Sequence, residues 1–301
     1  MNDSLSPRIS VVIPLYNHEA YIDAALESVQ AQTLSPCEII VVDDGSSDHG
    51  FQRVMSRAGR DSRIIAWTQP NRGAHHAINA GIHRATGEYV AILNSDDRFH
   101  PERFARCCEY LSENPEAEAV CTALSFVDGK GRVRSNPWYQ DALAFYRKSG
   151  DMLLALINGN FIMTTSNLFI RRRVFDELGF FSALRYAHDL DFFLRLLVAG
   201  RQIHWLETPL VSYRIHDGNT IGEGALKVKI EWAGVVAWHV GMLAEQRDWS
   251  WFESFLKVAD QHNLSRLLYL SQLHRQAGGA HGPAAFMQDP GFLKLMQQVV
   301  K

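Results

Sequence analysis

Two apolar runs, ISVVIPL and EIIVVD, flank an amphipathic segment within the first 43 residues, and this spacing restricts the chain to a small set of folds. Residues 9–17 begin with an almost continuous β-branched series, the pattern of a strand covered on both faces. Ile22, Ala25, Leu26 and Val29 then recur at i, i+3, i+4 and i+7, which predicts a helix over 19–31 with one buried face. Residues 38–48 supply a second strand, broken by acid, Gly and Ser. Strand, helix and strand at this spacing form a βαβ unit, the opening of a mostly parallel sheet.

The alternation continues with a strand near 63–67, a helix over 74–84 and a strand within 88–97. Pro101 suits the first turn of a helix whose inner side includes Phe104, Cys108 and Leu111. AEAVCTALSFVD is the next strand, and GKGR reads as a turn. From 126 to 170 the pattern loosens, with a helix at 150–157 and a strand in TTSNLFIRR leading to a short helix stopped by Gly179. A helix over 188–198 carries the stripe Leu190, Phe193, Leu194 and Leu197, with Asp191 and Arg195 able to pair. QIHWLE and LVSYRIH, one strand or two, close the unit near 220.

The expectation is therefore an α/β protein: a tail at 1–8, a Rossmann-like sheet domain at 9–220 flanked by helices, and a mainly helical extension at 221–301. Trp232, Trp238, Trp249 and Trp251 in that extension fit helices packed on the domain, or a membrane-facing edge.

Composition narrows the function. With 47% hydrophobic and 21% charged residues among 301, a sizeable core can form. A formal charge of -3 gives little global attraction to nucleic acid or anionic lipid. Cys37, Cys107, Cys108 and Cys121 form no paired framework and read as reduced thiols. The first ten residues lack an apolar run, and no stretch reaches the roughly 18 apolar residues that span a bilayer. The expected location is the cytoplasm, with peripheral attachment to the inner face of the membrane as the alternative.

Open α/β sheets bind ligands beyond the carboxyl ends of their strands, and PLYNHE, DDGSSD and NSDD all lie there. Asp43 and Asp44 end a strand, so a carboxylate can meet a base N–H or a ribose hydroxyl, although DDGS is also an ordinary turn. Asp48 is placed to brace that turn. The adjacent acids of NSDD suit a hard divalent cation bridging to a diphosphate, which bare carboxylates would repel; a solvated turn is the competing account. No P-loop and no GxGxxG follow the first strand. Arg72, before a helix start, is a candidate for the substrate region or a plain surface arginine. Asp189 lies outside the apolar stripe in the first turn of its helix, either as a proton acceptor or as a cap. His188, beside that acid, either orients it or is more simply a polar side chain facing solvent, while His216 offers an imidazole suited to Mn²⁺ or phosphate.

VVIPLYN, VVDDGSSD, NRGAHHAINAGIHRATGEYVAILNSDD, HDLDFFLRL and SYRIH, in this order over residues 9–220, resemble family 2 of the glycosyltransferases. The resemblance implies the GT-A fold and a nucleotide-sugar donor. Pro14 and Tyr16 would border the base with Glu19 close by, and Asp44 would contact it. Asp96 would approach the ribose or sugar phosphate, Asp97 would hold Mn²⁺ or Mg²⁺, Asp189 would be the catalytic base, and His216 would reach metal or diphosphate. Asn94 stands where many relatives have an acid, and His188 where many have Glu.

The reaction implied is a single in-line displacement that inverts the anomeric carbon, with UDP or dTDP sugars as donors and a saccharide or lipid-linked saccharide of a bacterial surface as acceptor. A sugar-phosphate nucleotidylyltransferase and a non-catalytic sugar-nucleotide sensor are the alternatives. The first lacks its Gly-rich, basic loop after strand one.

Overall fold

The computed structural model describes residues 7–219, 225–243, 248–262, 264–265, 268–269 and 282–299. Most of the expected tail at 1–8 and part of the C-terminal extension lie outside the described residues. The chain forms two compact units. One comprises residues up to 135, 164–181 and 202–216, and the other 136–163, 182–201 and the residues from 217 onward. This division does not follow the boundary drawn at 220, because helices inserted between strands associate with the C-terminal ones.

The first unit is built on strands β1 (Ile9–Leu15), β2 (Glu38–Asp43), β3 (Ile64–Thr68), β4 (Tyr89–Ile92), β5 (Arg98–Phe99), β6 (Ala119–Asp128), β7 (Val133–Arg134), β8 (Phe169–Arg171) and β9 (Ile203–Ile215). Their order in the sheet is β3-β2-β1-β4-β8-β6-β9-β5, with β7 beside β6. β1, β2, β3 and β4 are parallel neighbours, as are β6 and β9, whereas β8 runs antiparallel to β4 and β6. β1 and β2 are buried at every position, which accounts for their unbroken apolar runs. QIHWLE and LVSYRIH form one strand: β9 keeps pairing with β6 through a bulge around Pro209, a residue that cannot donate to the ladder.

Helices α1 (Ile22–Gln30), α2 (Gly50–Ala58), α3 (Ala74–Arg84), α4 (Arg103–Glu113) and α7 (Arg173–Leu178) accompany this sheet. α1 buries Ile22, Ala25, Leu26 and Val29, the expected stripe. α4 buries Phe104, Cys108 and Leu111 together with Cys107; Pro101 lies ahead of its cap, Glu102, rather than in the first turn. Gly87 lets β4 approach β1: a Cβ there would stand 2.6 Å from the Ser10 nitrogen.

The second unit holds α5 (Pro137–Ser149), α6 (Met152–Asn158), α8 (His188–Val198), α9 (Ala225–Val240), α10 (Trp249–Gln261), α11 (Pro283–Phe286) and α12 (Pro290–Val299). α5 occupies a stretch where the sequence pattern loosened, since it buries only the narrow stripe Tyr139, Ala142 and Leu143. Its start is set by Asn136, whose side chain accepts the Tyr139 N–H, and by Pro137 in the first turn. Among the four C-terminal tryptophans, Trp251 is buried, stacks on Phe255 at 5.3 Å and donates its indole N–H to Asp151. Trp232 and Trp238 are half-buried, and Trp249 is 84% exposed. Among the described residues no helix is long and apolar enough to cross a membrane.

Candidate functional site

Strand order reverses at β1, which has β2 on one side and β4 on the other, so the loops leaving their carboxyl ends surround a switch-point crevice. Side chains bind these loops together. Asn17, in a left-handed conformation with φ 52, accepts from the Ser47 N–H and gives its own N–H to Ser46 Oγ. Asp48 accepts the Glu19 and Gly50 N–H groups, the bracing role expected of it. The Glu19 carboxylate accepts the His49 N–H, which lowers its pKa and holds it at the start of α2.

Pro14 is buried within β1 and Tyr16 stands 48% exposed just past its end. Asp44 is buried, and its oxygens accept the backbone N–H groups of Arg72 and Gly73 and the Gln69 side-chain amide. It thus tethers the loop before α3 to the end of β2, while the Arg72 side chain remains exposed. Asp43 accepts from Thr68 Oγ1 at 2.7 Å across the sheet.

The NSDD turn divides its acids between two tasks. Asp97, 1% exposed, accepts from Ser166 Oγ at 2.6 Å and from the Arg214 N–H at 2.9 Å. Burial and the neighbouring Asp96 charge push its pKa well above the carboxylate range, against those two hydrogen bonds. Asp96 instead faces His216, with Oδ2 3.1 Å from Nε2, and a ligand atom of His18 completes a cluster within 4.8 Å. Burial works against ionisation of Asp96, but the His216 contact and the two imidazoles outweigh it and lower the pKa. His18 is held by Ser95 Oγ on Nδ1 at 2.8 Å, and desolvation lowers its pKa toward the neutral, metal-binding form.

Arg214 secures this corner: its Nε donates to the Asp96 carbonyl, its Nη1 to the Asp128 carbonyl, and its guanidinium lies 4.9 Å from the Tyr21 ring. Tyr21 in turn packs on His216 at 4.8 Å. Asn94 is engaged structurally, giving its N–H to Ser166 Oγ and its amide to Thr164 Oγ1. Buried Arg103 donates to the Ser166 and Asn167 carbonyls and so fixes the turn that carries the Asp97 partner.

Expected site residues Asp96 and His216 are therefore brought together, with Asp97 braced outside their cluster. His18, Ser166 and Arg214 were not foreseen. His18 was legible only as a polar residue in PLYNHE after the first strand; nothing in its spacing marks the 198-residue separation from His216 as proximity.

In the second unit, Asp189 is 6% exposed in the first turn of α8. Desolvation raises its pKa to about 7, with Glu231 adding repulsion, against the Leu190 N–H at 2.7 Å and the Asn160 amide at 3.1 Å. Glu231, on α9, accepts the three successive N–H groups of Arg185, Tyr186 and Ala187 that lead into α8. Two residues on, buried Asp191 accepts from Ser182 and pairs with Arg195 and His239, which anchors α8 to α9.

The mostly parallel sheet thus carries acidic loops and a His/Asp cluster at the carboxyl ends of its strands, the place where α/β enzymes bind ligands. The model of the glycosyl transferase family 2 matches residues 10–179, and the chain belongs to that family. An uncharacterized glycosyltransferase of Rickettsia typhi is 29% identical over 228 residues, covering 72% of this chain and 67% of the relative. S. aureus TarS 1-349 in complex with UDP-GlcNAc superposes with a TM-score of 0.61 at 16% identity, over 91% of this chain and 93% of that one. The mannosyltransferase PcManGT of Pyrobaculum calidifontis, in complex with GDP-Man and Mn²⁺, gives 0.61 at 18% identity over 98% and 84%. These likenesses establish the GT-A fold. The matched part is 34–67% of the length of several curated relatives.

Proposed function

We propose that this glycosyltransferase is metal-dependent and inverting, and transfers a sugar from a nucleoside diphosphate to a saccharide or lipid-linked saccharide hydroxyl. The observation that carries the reading is the His18, Asp96 and His216 cluster beside the loops that end β1, β2 and β4. Ligand bonds of about 2.1 Å at right angles set two donor atoms about 3 Å apart, and the Asp96–His216 separation of 3.1 Å fits. In this reading the adjacent acids exchange the roles expected of them: Asp96 with His216 holds Mn²⁺ or Mg²⁺, and Asp97 braces the turn, supported by the Asp96–His216 contact and the Ser166 and Arg214 bonds to Asp97. When bound, such a cation offsets the charge developing on the leaving diphosphate.

Pro14, Tyr16 and Asp44 form the base-binding side, Asp44 by shaping the 70–73 loop, and Arg72 offers an exposed guanidinium to phosphate. Glu19 contributes by holding the start of α2. Asp189 accepts the proton of the acceptor hydroxyl, whose oxygen bonds to the anomeric carbon as the carbon–oxygen bond to the diphosphate breaks. A carboxylate poised near neutrality suits that task. UDP or dTDP sugars are the favoured donors, with the GDP-Man bound by PcManGT making guanosine donors the comparison to run. The activity belongs to the cytoplasmic face of surface-glycan assembly, without nucleic acid as a partner and with peripheral contact to the membrane as a further element of the proposal.

Incubation with a panel of UDP, dTDP and GDP sugars and saccharide acceptors, with Mn²⁺, tests the reading. Release of nucleoside diphosphate and an inverted anomer by NMR are expected. Pyrophosphate release would point to a nucleotidylyltransferase instead, and donor binding without release across the panel would point to a sensor.

A further inference from the structure

We infer that His18 is a third protein ligand of the cation and that the resulting set of two imidazoles and one carboxylate selects Mn²⁺ and later first-row ions over Mg²⁺. The inference rests on the proposal that Asp96 and His216 hold the donor's cation. Its own basis is the placement of His18.

The ligand atoms of His18, Asp96 and His216 lie within 4.8 Å of one another, little more than the about 4.2 Å that separates opposite donors around one ion with 2.1 Å bonds. Ser95 Oγ occupies Nδ1 of His18, so a metal contact uses Nε2, and the hydrogen bond on the far nitrogen fixes the ring as partners of ligating histidines do. Tyr21 packs edge-on against the His18 ring at 5.8 Å, and the His216 ring lies 5.6 Å away, so both imidazoles have restricted orientations.

Mg²⁺ demands oxygen donors and retains its waters, whereas imidazole nitrogen favours transition ions. A site with Asp96 as its single carboxylate in the cluster offers Mg²⁺ one hard protein ligand. Mn²⁺ and Co²⁺ accept all three. The second nitrogen donor therefore shifts metal preference, and its source is a side chain in the loop after β1.

Pulsed EPR of the full chain with MnCl2 alone reads this without turnover. The expected spectrum shows two nitrogen couplings, and about 100-fold excess MgCl2 leaves most of the Mn²⁺ bound. His18→Ala, checked for folding by circular dichroism, is expected to retain one coupling and to release Mn²⁺ at about tenfold lower MgCl2. One nitrogen coupling in the unmodified chain, with Mn²⁺ binding lost in His216→Ala, would overturn the role of His18 and leave the Asp96–His216 site standing. No bound Mn²⁺ with or without added UDP or GDP would overturn that site as well. The count in the unmodified chain does not depend on any variant folding.

Discussion

At Asp189 burial and the proposed role as base pull on the same carboxyl. The group titrates at about 7 because it is desolvated, with the Glu231 charge adding to the effect. As a base it is competent when ionised, so transfer rate should fall as pH drops through about 7, and a pH profile of kcat/KM tests this. Asp189→Asn should lower kcat by about 100-fold or more while the fold persists; near-normal turnover would remove it from the mechanism. The stability sign is opposite. A raised folded pKa means the protein is favoured below the ordinary carboxylate pKa of 3.8 and loses that advantage as pH rises toward 7. Asp189→Asn should therefore raise Tm at pH 8 more than at pH 4, measured by thermal denaturation. Adjacent acids in NSDD should respond differently. Asp96→Asn is expected to abolish metal-dependent transfer with little effect on Tm. Asp97→Ala, which leaves the buried Ser166 hydroxyl and Arg214 N–H without their acceptor, should cost about 1–3 kcal/mol in denaturant unfolding.

The start of α8 is an element-scale problem, because its cap Ala187 has no side chain to receive orphaned N–H groups. Within the first turn the Asp189 carboxylate accepts the Leu190 N–H, Glu231 from α9 holds the segment that enters the helix through the Tyr186 and Ala187 N–H groups, and Asp191 with His239 fastens the next turn. Glu231→Gln keeps an acceptor oxygen but removes a charge, so the acid limb of the rate profile should move to lower pH as the Asp189 pKa falls. An unmoved limb would argue that the Glu231 charge does not reach Asp189. Breaking the buried pair with His239→Ala should destabilise by about 3–5 kcal/mol, read from denaturant midpoints. The Asp191 share of this stability is present above the ordinary carboxylate pKa of 3.8 and fades as pH falls through about 2, the value to which its partners lower it against burial.

For the whole molecule, ligand linkage provides the simplest check. Mn²⁺ with the correct nucleoside diphosphate at 100 times Kd should stabilise the fold by about 2.7 kcal/mol, visible as a Tm shift that EDTA cancels. The α/β class, the parallel β1–β4 arrangement and most helix positions were legible in the chain because apolar period is a local signal: β1 and β2 are buried on both faces, and α1 buries the predicted stripe. α5 escaped because its buried stripe is narrow, and β9 looked divided because Pro209 interrupts its ladder without ending it. The acids of the loops could be found from strand ends alone. Sequence by itself determined which polar residues stand at the carboxyl edge of the sheet. Only tertiary structure decided that Asp96 faces His18 and His216 while Asp97 faces Ser166 and Arg214, and that α8 shares a unit with helices more than 30 residues away. The physical reason is that neighbouring side chains on a turn point in different directions, and their partners come from strands and loops whose proximity depends on chain crossovers rather than on local period.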